Sequence, residues 1–283
     1  MAEPGHLVLV ATPIGNLGDL PPRAVEVLTA ADVVACEDTR RTGRLLAAAG
    51  VRAKALVAVH DHNEASQVGF VLGRLRAGDV VAVVTDAGTP GISDPGERLV
   101  RAATQAGFEV RVVPGPSAAI SGLVASGLPT GRFVFEGFLP RKGSGRAERL
   151  AALAGEQRTL VLYEAPHRLA RTVADLAAAL GGSRRVAIAR ELTKLHEEVW
   201  RGTLDEAVAR AELVEPRGEH VLVVDGAPPS AHVDDAQIVS AIDERLAAGA
   251  SRRDAVAEVS SGLGVPKRRV YDLALGADGS DRR

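Results

Sequence analysis

The stretch Val80-Val81-Ala82-Val83-Val84-Thr85-Asp86-Ala87-Gly88-Thr89-Pro90-Gly91-Ile92-Ser93-Asp94-Pro95-Gly96 decides the fold. Its first part is an unbroken β-branched apolar run bounded by turn formers, which reads as a strand buried on both faces of a parallel sheet. From Thr85 to Gly96, glycine, proline and small residues are packed more densely than a connection needs. Glycine lets a ligand approach main-chain amides closely, and proline fixes the path of the chain. An open α/β sheet offers its ligand site at the carboxyl ends of the strands, so this loop is expected to bind something.

Working outward, short apolar runs alternate with Ala/Leu/Arg segments of helical period, the pattern of a βαβ protein. Strands are expected at Leu7–Thr12, Val33–Cys36, Leu56–His60, Val80–Thr85 and Val110–Val113. A second series follows at Phe133–Phe138, Thr159–Tyr163, Val186–Ala189, Val199–Thr203 and His220–Val224, closely spaced as in a partly antiparallel sheet. Pro114-Gly115-Pro116-Ser117 separates the series, and a break at Gly226–Ser230 precedes a segment, from Val233 to Leu275, that reads as helices only. Two α/β domains, 1–115 and 116–228, and a helical tail, 229–283, are therefore expected. In the tail, Ser251 is placed to cap a helix and Val265-Pro266-Lys267 to open another. Basic residues around these short helices give a local charge of +3 between positions 252 and 269, and Tyr271 is available for stacking on a base.

A chain of 283 residues, 46% hydrophobic and 25% charged, builds ordinary globular cores and is not intrinsically disordered. The net charge of −2 gives no global field for a polyanion, so any such partner must be held by local patches. Cys36 is the only cysteine, which excludes a disulfide within the chain and a cysteine-based zinc site. His60-Asp61-His62 offers two imidazoles on one face without an identifiable third ligand, and no metal is expected. Met1–His6 does not read as a leader and no apolar run approaches about 18 residues, so the expectation is a cytoplasmic protein without a membrane span.

Two further loops share the glycine- and proline-rich character of Thr85–Gly96, namely Thr12–Asp19 and Val113–Ala118, and all three are expected to converge on one rim. None carries a P-loop or a G-x-G-x-x-G fingerprint, which argues against a nucleoside-triphosphate or ordinary dinucleotide site. Cys36-Glu37-Asp38-Thr39-Arg40-Arg41-Thr42 leaves a strand and starts a helix, with Thr39 as the expected cap. Arg141 and Lys142, in the flexible segment Pro140–Arg146, suit phosphate contacts.

Taken together, Asp86–Gly96, Glu37-Asp38-Thr39-Arg40, His62-Asn63-Glu64, Pro114–Ala118, Gly137–Lys142 and Tyr163–Arg168 resemble the tetrapyrrole methylase superfamily, in particular its ribosomal-RNA-methylating branch. The resemblance runs from Leu7 to about Asp225. It implies S-adenosylmethionine as methyl donor, a cofactor cleft between two α/β domains, and a homodimer. It further implies 2'-O-methylation of a decoding-region cytidine of 16S ribosomal RNA within the small ribosomal subunit. Cofactor contacts are implied at Pro13, Asp86, Thr89, Ser117, Ala118, Glu164 and Leu192. Attack by a ribose hydroxyl calls for a base, for which Glu37 or Asp38 are candidates, with Arg40 holding a phosphate or the developing oxyanion. Asn63 and Glu64 are candidates for reading the nucleotide. Porphyrin-type members carry Gly-Gly-Asp-Pro where this chain has Val84-Thr85-Asp86-Ala87, which favours RNA over a tetrapyrrole. A small-molecule methyltransferase and a non-catalytic RNA-binding protein remain the alternatives.

Overall fold

The apolar runs of the first half form five parallel strands, β1 (His6–Val10), β2 (Val33–Cys36), β3 (Leu56–Ala58), β4 (Val80–Val84) and β5 (Val110–Val113), in the order β3-β2-β4-β1-β5. This computed structural model describes residues 5–214, 216–228 and 234–276. The strand order explains why these strands are apolar on both sides. Connections running toward β3 carry α1 (Pro22–Ala30) and α2 (Thr39–Ala48), and those running back carry α3 (Glu64–Arg76) and α4 (Glu97–Gln105). Since crossovers are right-handed, opposite directions put the two helix pairs on opposite faces. Accordingly Ala24, Leu28 and Leu46 pack on Val8, Val10, Val34 and Val84, whereas Val71, Leu75, Leu99 and Ala103 pack on Leu7, Val33, Val81 and Val83. The chain leaves the neighbouring strands β1 and β4 in opposite directions, which opens a crevice beyond their carboxyl ends.

Helix α5 (Ala118–Ser126) leads into a second sheet, β6 (Phe133–Phe138), β7 (Thr159–Glu164), β8 (Arg185–Arg190), β9 (Glu198–Thr203) and β10 (His220–Val224), in the order β6-β7-β10-β8-β9. Only β6 and β7 are parallel; the other pairs are antiparallel. One face of this sheet is covered by α6 (Ser144–Ala154), α7 (Pro166–Leu180) and α8 (Leu204–Leu213). The other is covered by α5, with Ile14 from the loop after β1 in the same apolar cluster. The close approach of α5 depends on Gly122, where a Cβ would lie 2.8 Å from the Val221 side chain.

Two compact units are resolved by contact density, Met1–Ala227 and Pro228–Arg283. The second contains α9 (Asp235–Ala247), α10 (Arg252–Leu263) and α11 (Lys267–Gly276), whose Ile238, Ile242, Val256, Val259, Val270 and Ala274 form a small core of their own. Ser251 caps α10 as expected, accepting from the Asp254 amide. Of the expected break at Gly226–Ser230, Pro229 and Ser230 lie outside the described residues, as does Val233. Among the described residues no helix is long and apolar enough to cross a membrane.

Two local expectations are corrected. The strand expected at Leu56–His60 stops at Ala58, because the Asn63 amide group donates to the Ala58 carbonyl and accepts from the His60 amide, which folds the chain into a turn. Helix α2 is capped by Asp38 rather than Thr39. The Asp38 carboxylate accepts from the amides of Arg40 (2.8 Å) and Arg41 (3.4 Å), so Thr39 is already the first helical residue. We expect Asp38→Ala to cost about 1 kcal/mol of stability through loss of this cap, read by urea denaturation; an unchanged midpoint would contradict the assignment.

Candidate active site

The loops after β1 and β4 are held together across the crevice. Thr12 and Gly88 exchange two backbone hydrogen bonds, of 2.9 and 3.1 Å, and the Thr12 hydroxyl donates to the Thr85 carbonyl. The distal half of the second loop is fixed from below by Glu64. This carboxylate is 4% exposed and accepts from the amides of Gly96, Arg98 and Leu99 at 3.0 to 3.2 Å, capping α4. Negative charge at a helix amino terminus is stabilised by the unpaired amides and the helix dipole. Gly96 has φ of +133°, and the loop closes on itself through Gly91 N–H to the Pro95 carbonyl. Between them Ser93 sits at φ +60°, a left-handed conformation uncommon for a residue with a side chain.

Above this loop lies a cavity of about 500 Å³, walled by the carboxyl ends of strands of the first sheet and, in the second, by the carboxyl ends of β6, β7 and β8 and the amino end of β10. Its volume suits a nucleoside-sized ligand. The first sheet contributes Glu37, Asp86, Thr89 and Asp94, and the segment entering α5 contributes Ser117 and Ala118. The second sheet contributes Phe138, Tyr163, Glu164, Leu192, Lys194 and Glu219. Tyr163 packs edge-on against Phe135 and tilted against Phe138, and its phenol oxygen accepts from the Ala119 amide. The two sheets are tied at the rim by the Asn16 amide donating to the Thr193 hydroxyl.

Of the residues singled out in the sequence, the structure brings Glu37, Asp86, Thr89, Ser117, Ala118, Glu164 and Leu192 to this cavity. Pro13 is buried beside it, and the next residue, Ile14, forms the wall. Glu164 is committed internally: it accepts from the Thr172 hydroxyl (2.6 Å) and the Ala165 amide and pairs with Arg168. Asp38 caps α2, and Arg40, 88% exposed at its side chain, folds back onto it. Successive helical residues point about 100° apart, and the adjacent Arg41 reaches the cavity instead, pairing with Asp86 at 3.0 Å. Asn63 and Glu64 are spent on the turn and the α4 cap and do not line the cavity. Arg141 and Lys142 are exposed on the segment that leaves the cavity at Phe138; Arg146, buried and paired with Asp175, anchors that segment by donating to the Pro140 carbonyl.

Three features were not selected from the sequence: the Arg41–Asp86 pair, the Asp94 carboxylate, which has no hydrogen-bond or ion-pair partner among the described residues, and a cluster in which Lys194 binds Glu191 (2.9 Å) and Glu219 (3.1 Å). Arg41–Asp86 and Lys194–Glu219 join residues far apart in the chain and have no local signal, whereas Lys194–Glu191 is a contact between residues three apart. Burial would lower the pKa of Lys194, but its two carboxylate partners more than offset this and raise it. Burial, reinforced by Asp86, pushes Glu37 up, against an amide bond from Asp86. Burial also pushes Asp94 up to about 7, helped by the negative charges of Glu37, Asp61, Asp86 and Glu219.

The stability consequence has a definite sign. Between about pH 4, where a free aspartate ionises, and about pH 7, the folded chain keeps a proton on Asp94 that the unfolded chain has lost. Unfolding free energy therefore falls as pH rises through that window. Asp94→Asn is expected to reduce the fall between pH 5 and pH 8 in urea titrations; an undiminished fall would contradict a raised Asp94. Glu64→Ala is expected to cost on the order of 2 kcal/mol by leaving buried amides unpaired, and to hasten proteolysis within Thr89–Gly96. Unchanged stability would remove Glu64 as the anchor.

Residues 6–208 match the family model described as Tetrapyrrole (Corrin/Porphyrin) Methylases. A protein of Synechocystis sp. named ribosomal RNA small subunit methyltransferase I is 47% identical over 273 residues, covering 96% of this chain and 98% of its own. Its namesake from Mycobacterium tuberculosis (strain ATCC 25618 / H37Rv) is 48% identical, covering 96% and 95%. Among solved structures, uroporphyrin-III-C-methyltransferase from Thermus thermophilus superposes with a TM-score of 0.56 at 25% identity, covering 78% of this chain and 94% of its own. With the family model spanning most of both sheets and relatives near half identity along almost the whole length, the chain belongs to the tetrapyrrole methylase family.

Proposed function

We propose that the chain is an S-adenosylmethionine-dependent methyltransferase acting on 16S ribosomal RNA of the small ribosomal subunit, with the 2'-hydroxyl of a decoding-region cytidine as acceptor. The observation that carries this reading is a cavity of about 500 Å³ with an acidic lining, in a chain nearly half identical to proteins named for methylation of small-subunit ribosomal RNA.

The residues present fit the donor. The Asp86 carboxylate has one oxygen buried without a hydrogen-bond partner, beside the positive-φ turn at Gly88, and suits a hydroxyl or amino donor. Carboxylates on several walls favour a ligand carrying positive charge. Bound there, S-adenosylmethionine supplies an electrophilic methyl group on a sulfonium. Thr89, Ser117, Ala118 and Leu192 would line the donor, and the aromatic wall of Tyr163 and the tilted Phe138 ring would keep water from the reacting side. Asp86, steadied by Arg41, would orient it, and positioning of this kind supplies a large part of the acceleration in group transfer. The same acidic lining disfavours a polycarboxylate tetrapyrrole as acceptor.

RNA phosphates would be met outside the cavity. Arg141 and Lys142 stand exposed at the Phe138 edge. In the helical unit, α10 and α11 meet at a left-handed turn at Gly264, and Arg253, Lys267, Arg268 and Tyr271 are exposed on them. Short helices with basic ends suit an RNA-contacting element. A homodimer is part of the proposal and draws support from α5, where Ile120 (47% exposed) and Val124 (69%) present apolar surface to solvent.

Calorimetry is expected to show S-adenosylmethionine binding, and tritium from its methyl group is expected to enter isolated small ribosomal subunits. Transfer to a porphyrinogen instead would establish a small-molecule enzyme, and absence of cofactor binding would leave a non-catalytic RNA binder. Lys267→Glu with Arg268→Glu is expected to weaken subunit binding and flatten its salt dependence by roughly one logarithmic unit of slope per lost phosphate contact. Cofactor affinity is expected to stay unchanged in that variant. Unaltered subunit binding would remove α11 from the RNA surface.

A further inference from the structure

Six carboxylates line the cavity, and five have a partner. Glu37 accepts the Asp86 amide, Asp86 pairs with Arg41, and Glu164 binds Thr172, Ala165 and Arg168. Glu191 and Glu219 share Lys194. Asp94 is the sixth, and among the described residues no hydrogen bond or ion pair engages its carboxylate. Ionised side chains that exist for stability are paired when they are withdrawn from water. An unpaired, half-buried carboxylate on a rigid loop beside the aromatic wall has the form of a group kept free for a proton.

The loop itself is built to hold Asp94 in place. Ser93 immediately before it is in the left-handed region, Pro95 immediately after it accepts from Gly91, and the Gly96, Arg98 and Leu99 amides are fastened to Glu64. Backbone strain of this kind persists where the surroundings over-determine it and is concentrated at functional positions. The cavity's other proton carriers are less suited. Lys194 is held as a cation by two carboxylates, His220 is buried, and His167 is exposed at the first turn of α7.

We propose that Asp94 is the catalytic base that takes the proton of the attacking ribose hydroxyl. This rests on the reading of the cavity as the site of methyl transfer to a ribose. In the step, the oxygen–methyl bond forms as the sulfur–methyl bond of the donor breaks, and sulfur keeps the bonding pair. The hydroxyl proton passes to the Asp94 carboxylate, so the sulfonium's positive charge and the carboxylate's negative charge disappear together. The products are a methyl ether, a neutral thioether and a neutral carboxylic acid.

The charged groups around Asp94 set where it works. Burial first, and then Glu37 at the end of β2, Asp61 in the turn after β3, Asp86 on its own loop and Glu219 before β10, disfavour its ionised form and place it at about 7. Arg41 and Lys194, the cations facing the same space, are already neutralised by Asp86, Glu191 and Glu219. A base whose pKa is near working pH combines availability with driving force.

The test is the pH profile of single-turnover methyl transfer to small ribosomal subunits, together with a carboxyl-carbon NMR titration of the ligand-free protein. The wild-type rate is expected to rise with pH and level off above about 7, with one carboxyl resonance titrating at the same position and missing in Asp94→Asn. That variant is expected to lose about 10²- to 10⁴-fold in rate and the pH limb, with S-adenosylmethionine affinity within about threefold of wild type. Glu37→Gln is expected to move the limb to lower pH by removing a like charge. If Asp94→Asn does not fold, the wild-type resonance and the Glu37→Gln shift still decide. A resonance titrating near 4, an intact limb in Asp94→Asn, or a limb abolished by His167→Ala instead would overturn the assignment. Wild-type label on a base rather than a ribose would overturn the functional reading itself.

Discussion

A single buried carboxylate organises the site. Glu64 gathers three amides at the start of α4, and a charge-assisted bond of this type is worth roughly twice a neutral one. That clamp fixes the far end of the loop from Thr85 to Gly96, while the Thr12–Gly88 exchange fixes the near end to the neighbouring strand. With both ends held, the residues between them are presented to the cavity without a search through conformations. The strain at Ser93 is tolerated for the same reason.

The second sheet completes the enclosure rather than repeating the first. Its parallel pair β6 and β7 brings Phe138 and Tyr163 to the rim, and its antiparallel part brings Leu192 and Lys194 from the β8–β9 connection and Glu219 from the start of the central strand β10. Helix α5 joins the two by packing on the inner face, so the entrance to the helix at Ser117 and Ala118 faces the space between the sheets. The result is a nucleoside-sized chamber in which six carboxylates outnumber the cations Arg41 and Lys194, with further basic groups on exposed segments such as Arg141 and Lys142. A net charge of −2 is compatible with an RNA partner in this arrangement, because cavity and exterior have opposite tasks.

The sheets were legible in the sequence because each strand leaves a short apolar run bounded by turn formers; Val33–Cys36 and His220–Val224, buried along their whole length, and the partly exposed edge strands Val110–Val113 and Phe133–Phe138 begin and end where the sequence places them. The crowding of glycine and proline after β4 likewise marked a loop that lines the cavity. Individual roles were less legible. Asp38 and Arg40 sit in a charged cluster that looks chemical, but which of two adjacent arginines faces a cavity is settled by helical rotation, and which acid is free is settled by amides at a helix start. Asn63 and Glu64 looked like recognition residues because a polar side chain in a turn carries no mark of what occupies it; Asn63 is taken up by Ala58 and His60 close by, and the Glu64 amides are more than thirty positions away. Asp94 was visible only as one more turn residue, since its distinction, a place in the cavity wall with no partner among the described residues, exists in three dimensions alone.

The most direct measurement is where the methyl group lands. Small-subunit RNA labelled by this enzyme would be treated with mild alkali, which cleaves every linkage that has a free 2'-hydroxyl. A single alkali-resistant linkage, following a cytidine of the decoding region, is expected to carry the label. Label recovered on alkali-sensitive mononucleotides, or on a small-molecule acceptor, would contradict the proposed function.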